Sequence, residues 1–163
     1  MPPVLTTFDE LVNLLVKDNT NHRLDRENQA IELPQKMPGL PGSLYLRWEK
    51  ELPFVQLIQM SLVEIPQARV ADVERAIVIL NNKIEMPGFG LDEAVRNLYF
   101  RVVVPVVPPH GIDAEALYQL AQGTVRNAKL YQAAFKAVVD GTSGGDIVAL
   151  AQASIAAQGK PPA

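Results

Sequence analysis

A chain of 163 residues, 20% of them charged and with a formal net charge of −3, is about one domain long. A domain of this size buries roughly 70% of its unfolded surface and needs no covalent staple. The absence of cysteine excludes disulfides, thiolate metal sites and cysteine nucleophiles, and interspersed basic and acidic residues advertise no phosphate-binding face.

The opening MPPVLTTFDELVNLL has neither the basic start nor the apolar core of a secretory signal. The apolar runs VVVPVVPP and IVALAQASIAA are proline-broken or far short of the roughly 20 residues a membrane-spanning helix needs. The expectation is a soluble cytoplasmic protein without membrane or nucleic-acid partners. It is read as a single domain over 1–163, with a core at 6–139 and a C-terminal extension at 141–163.

Thr7 and Glu10 have capping-box spacing, and Phe8, Leu11, Val12 and Leu15 repeat on one face, predicting a first helix to about Asp18. The polar cluster DNTNHRLDREN reads as a turn and a solvated strand edge. Gln29 to Leu33 offers a short alternating segment, and the prolines and glycines of QKMPGLPG make a loop.

Ser43–Lys50 and Phe54–Val63 are predicted strands of a hairpin. Leu44, Leu46 and Trp48 share one face of the first, and Tyr45, Arg47 and Glu49 the other. In the second, Phe54, Ile58, Met60 and Leu62 form the expected core face, with Val55 and Leu57 opposite beside Gln59 and Ser61. After Pro66 the period lengthens, and Val70, Val73, Ile77, Leu80 and Ile84 stripe a helix that stops before Pro87. Val78 and Ile79 lie off that stripe and are read as core spillover.

Phe89–Asp92 forms a short strand, turning through Glu93–Arg96 into Asn97–Pro108, a run of β-branched and aromatic residues. Its Leu98, Phe100, Val102, Val104 and Val106 make one apolar face, and Tyr99, Arg101 and Val103 a mixed one. Asp113 is placed to cap a long helix through Leu117, Leu120, Ala121, Thr124, Ala128, Tyr131, Phe135 and Val138, ending at Gly141. A short helix from Asp146 to about Ala157 follows, its small apolar positions expected to dock weakly on the domain or on a second subunit, with GKPPA fraying beyond it.

No motif carries chemistry. His22 and His110 stand beside turn residues, neither with a second ligand at metal-binding spacing, so no metal or cofactor is expected. The GTSGG segment at Gly141–Gly145 has no histidine and aspartate placed around it and no P-loop lysine after it, and reads as helix punctuation. Asp92 with Glu93, and Asp72 with Glu74, are turn and helix-surface acids without a convergent partner. Trp48 alternates away from Arg47, which dissolves an aromatic and basic nucleic-acid surface. What remains is a half-apolar sheet face of Tyr45, Arg47, Val55, Leu57, Tyr99, Arg101 and Val103, residue types that anchor protein interfaces. A helix of the same chain, a second subunit or a client segment would each cover it.

The order of elements is α-β-β-β-α-β-β-α plus a short C-terminal helix. It describes an α+β domain with an antiparallel sheet of about five strands and helices mainly on one face. The stretch RVADVERAIVILNNKIEMPGFGLDEAVRNLYFRVVVPV, the Ala-rich helix after it and the hairpin YLRWEKELPFVQLIQMSL resemble the YbjN family, a bacterial group with the type III secretion chaperone-like fold. The resemblance spans Thr6 to Val139. It implies helices on one sheet face, the second face available to a partner, a tendency to self-association, and regulatory or chaperone-like binding, with no catalytic residues. The segment beyond Gly141 and the proline-rich loop depart from the family's compact pattern. The expected function is therefore a non-enzymatic, homodimeric protein-binding module that engages a client segment. The alternative is a small-ligand-sensing regulatory domain with its pocket between the long helix and the sheet.

Overall fold

The computed structural model describes residues 3–34, 42–49, 51–107 and 109–158. The QKMPGLPG segment apart from Gly42, Pro108 and the GKPPA tail lie outside the described residues. The elements are β1 (Val4–Leu5), α1 (Phe8–Lys17), β2 (Arg23–Asp25), β3 (Ala30–Pro34), β4 (Ser43–Trp48) and β5 (Phe54–Glu64), then α2 (Val70–Asn81), β6 (Phe89–Asp92), β7 (Asn97–Pro105), β8 (Ile112–Asp113), α3 (Ala114–Val139) and α4 (Ile147–Gln158).

Six strands form an antiparallel sheet in the order β2-β3-β4-β5-β7-β6, and β1 pairs with β8 in a separate two-stranded ribbon. The α+β class and the antiparallel sheet agree with the sequence. The sixth strand comes from the polar cluster, where Arg23–Asp25 pairs with Ala30–Glu32 as an exposed edge. The β1–β8 ribbon is short enough to leave no alternating signature.

Local chemistry sets the helix starts. The Thr7 hydroxyl accepts from the Glu10 amide, and the Glu10 carboxylate accepts from the Thr6 and Thr7 amides and the Thr6 hydroxyl, completing the predicted capping box. Asp113 caps α3 by accepting from the Ala116 amide. α2 ends at Asn81, well short of Pro87, because Asn81 turns its side chain to β6. Its Oδ1 accepts from the Gly88 and Phe89 amides and its Nδ2 donates to the Phe89 carbonyl.

All helices that pack on the sheet use one face, which carries Leu44, Leu46, Val55, Leu57, Leu98, Phe100 and Val104. The core divides in two. The first half gathers Phe8, Leu11 and Val12 of α1 with Ile31, Leu44, Leu46, Val55 and Leu57, beneath Leu117 and Val125 of α3. The second gathers Val73, Ala76 and Leu80 of α2, Phe135 and Val138 of α3, and Ile147 and Ala151 of α4 around Phe89 and Phe100. Phe89 meets Phe100 at 4.8 Å, Phe135 at 5.0 Å and Tyr131 at 5.6 Å between ring centroids. Val102 touches both halves.

Two expectations are corrected here. On β5, Val55 and Leu57 are fully buried, and Phe54, Ile58 and Met60 lie on the helix-free side. The pairing explains the exchange: Leu57 stands between Leu46 of β4 and Val102 of β7, so it must share their core face. On α2, Val78 is exposed rather than absorbed into the core, whereas Ile79 is half-buried.

The C-terminal segment docks on the domain. Gly144 is buried against α2 so closely that a Cβ there would collide with the Asp72 carbonyl. Arg69 then ties the turn after α3 to the start of α2, donating to the Val138 and Thr142 carbonyls while pairing with Asp72 at 2.7 Å.

Asn81→Ala should lower stability by about 2 kcal/mol, since it orphans two half-buried amides and a carbonyl. The check is a lower urea midpoint with an unchanged denaturant slope. The Thr6 amide and hydroxyl, and then the Thr7 amide and hydroxyl, hold the Glu10 carboxyl below its ordinary value. The contribution of a carboxyl so lowered is full above the unfolded carboxylate range and is lost as pH falls through the folded value. Glu10→Gln should therefore flatten the acid limb of melting temperature against pH.

Candidate functional site

Five of the seven sheet residues singled out in the sequence share the helix-free face: Tyr45, Arg47, Tyr99, Arg101 and Val103. Cross-strand rows run Glu32, Tyr45, Ile58, Arg101 and, next to them, Ala30, Arg47, Gln56, Val103. Val55 and Leu57 do not belong to this face, because the alternation carries them into the core.

The face is largely occupied by its own contacts. Arg47 pairs with Glu49 at 3.1 Å, Gln56 donates to the same carboxylate, and the Ser43 hydroxyl donates to Glu32. The Tyr99 ring lies over its cross-strand neighbour Gly90, filling the space a side chain would take there, with the Arg101 guanidinium 5.7 Å from the ring centroid. Tyr99 is thus a cover for a glycine within the sheet. Polar rows interrupt the apolar residues, and the surface is that of a solvated antiparallel sheet.

A different surface is concave and continuous. On the helix side, α1 and α3 stand apart over β3 and β4, leaving a trough of about 1300 Å³. Leu11, Leu14 and Leu15 of α1 form one wall, Leu117, Ala121 and Val125 of α3 the other, and Leu33 and Leu44 the floor. Leu14, Leu15, Leu33 and Ala121 remain half-exposed along it. The rim is polar, with Lys17 and Asp18 at the end of α1 and Glu115, Gln122, Arg126 and Lys129 along α3. Ile155 of α4 reaches its far end.

The local sequence explains the geometry. The β1–β8 ribbon and a hydrogen bond from the Ala114 amide to the Pro3 carbonyl tie together the starts of α1 and α3. From that anchor both helices run over the sheet, and each presents an apolar stripe at helical spacing to the gap. The stripes were legible in the sequence as helix faces. That part of each faces an open channel depends on the spacing of the two helices, which periodicity does not report.

Among the described residues no group of three or more His, Asp or Glu side chains is placed to hold a metal ion. No helix among them is long and apolar enough to cross a membrane. His22 is half-buried in a turn with its Nδ1 2.7 Å from the Thr20 carbonyl, and His110 is exposed. Ser143 accepts from the Gly145 amide through its hydroxyl, opening the turn before α4.

No family model and no curated protein sequence matches the chain. Among solved structures, the chain is similar to the crystal structure of YbjN from E. coli, described as a candidate transcription regulator. The TM-score is 0.62 at 14% identity, covering 78% of this chain and 90% of that one. At that level of identity the likeness is one of fold, and the chain has a YbjN-like fold.

Proposed function

We propose that the protein is a non-enzymatic binding module whose recognition site is the trough between α1, α3 and the β3–β4 floor. The observation that carries this reading is a concave surface lined by leucines that no described element of the chain covers. Its volume of about 1300 Å³ exceeds the roughly 300–1,000 Å³ of small-molecule sites, which favours a protein segment as occupant. A regulatory role, as described for YbjN, would follow from capture of such a segment; the net charge of −3 gives no support to direct nucleic-acid binding. The second reading, a small-ligand sensor, is favoured by the position of the trough between the long helix and the sheet.

The test uses an apolar fluorophore, 1-anilinonaphthalene-8-sulfonate, with the full chain. Ala121→Trp and Leu14→Gln should each weaken its binding at least about fivefold, while Tyr45→Ala and Ile58→Ser leave it unchanged, with circular dichroism confirming that every variant stays folded. Loss on the sheet side and retention on the trough side would transfer the site to the sheet face. A thermal-shift screen of metabolites serves the second reading, because a ligand bound only by the native state raises the melting temperature.

A further inference from the structure

The trough's walls restrict what its occupant can be, and the inference drawn from them rests on the trough being the recognition site. Two walls are helices, whose backbone groups are spent internally, and the floor residues Leu33 and Leu44 pair with each other across β3 and β4. An extended segment laid there would bury amides and carbonyls that find no partner, at about 1–3 kcal/mol each. A helix brings its backbone already satisfied, and its side chains interdigitate with flanking helices as ridges into grooves. Along α3 the trough runs from Glu115 to Leu130, about 22 Å at the helical rise, the length of a helix of about 15 residues.

Charge gives the occupant a direction. Lys17, Arg126 and Lys129 all line the trough, and among the described residues none of them forms an ion pair. Lys17 closes α1, and Arg126 and Lys129 stand toward the Leu130 end of the trough, all three lining the same space. Asp18 is the acid at that end, and the last carbonyls of α1 add partial negative charge, so the three cations dominate without being alone. At the other end stands Glu115, its carboxylate accepting from Gln119.

We infer that the trough binds an amphipathic helix of a partner protein, its apolar stripe between α1 and α3 and its acidic side chains at the end marked by Lys17, Arg126 and Lys129.

The test is fluorescence polarisation of the full chain with synthetic helical peptides of about 16 residues. All carry leucines at i, i+3, i+4 and i+7 spacing. One has glutamates clustered at one terminus, one has lysines there instead, and one has the glutamates and a central proline. The acidic peptide should bind at least about tenfold tighter than the basic one at low salt, with the difference shrinking as ionic strength rises. The combined Lys17→Glu, Arg126→Glu and Lys129→Glu variant should reverse that order, with circular dichroism showing that it stays folded. The proline peptide should lose binding.

Equal affinity for acidic and basic peptides would overturn the charge assignment, and undiminished binding of the proline peptide would overturn the helical occupant. Binding of no peptide, with palmitate displacing the fluorophore, would replace the helix by an anionic amphiphile and overturn the inference while leaving the trough as the site. If peptides bind to Ala121→Trp as well as to the unaltered chain, the trough itself is not the site, and that failure is distinguishable from the others.

Discussion

The structure depends on one helix being shared by two cores. α3 has 26 residues, about 39 Å of helix, and both halves of the core are rooted in it, the first at Leu117 and Val125 and the second at Phe135 and Val138. Each half has its own second cover, α1 on one side and α2 with α4 on the other. Around the second half the covers close: α4 packs along α3, the Gly144 turn presses on α2, and Arg69 ties the ends together. Around the first half a single ten-residue helix shares the sheet with α3, and the space between them stays open. The trough is a consequence of that unequal coverage.

Two buried polar side chains belong to this division. Gln59 on β5 and Thr124 on α3 are fully buried; Gln59 lies in sequence between Leu57 of the first half and Ile65 of the second, and Thr124 directly precedes Val125, the last buried α3 residue of the first half. Thr124 is satisfied by the Leu120 carbonyl within its own helix, and Gln59 donates to the Met60 carbonyl. Thr124 thus finds its partner locally, whereas Gln59 is satisfied only at its Nε2, its buried Oε1 meeting no partner among the described residues, and neither bridges the halves through those bonds.

Much of the fold was readable because the relevant signals are local. The capping box at Thr7, the cap at Asp113 and the alternation of Leu98, Phe100, Val102 and Val104 each depend on neighbours a few residues away. β5 was misread because both its faces are apolar, and Gln59 made the Val55–Leu57 side look like the wetter one. Only pairing with Leu46 and Val102 decides the matter, and pairing is a long-range fact. The candidate site was less legible for the same reason. Tyr99 has the composition of an interface anchor, yet it covers Gly90 across the hairpin; Leu15 belongs to the apolar stripe of the first helix, yet it lines an open channel. The end of α2 at Asn81, ahead of the stop expected before Pro87, rests on bonds to Gly88 and Phe89 that exist only when β6 is in place.

The two borders of the sheet set the manner in which copies of the chain can meet. β2 is three residues long, exposed throughout and carries Arg23 and Asp25, and β6 is four residues long and ends at Asp92. Short, charged borders are poor templates for adding a strand from another molecule. Growth by continuous β-pairing, the route to fibrils, is thereby discouraged at both margins even though the central strands are rich in valine and aromatic residues. Any assembly of this chain is steered toward joining by faces, where side chains choose the partner, and away from backbone-to-backbone stacking, which would accept almost any sequence.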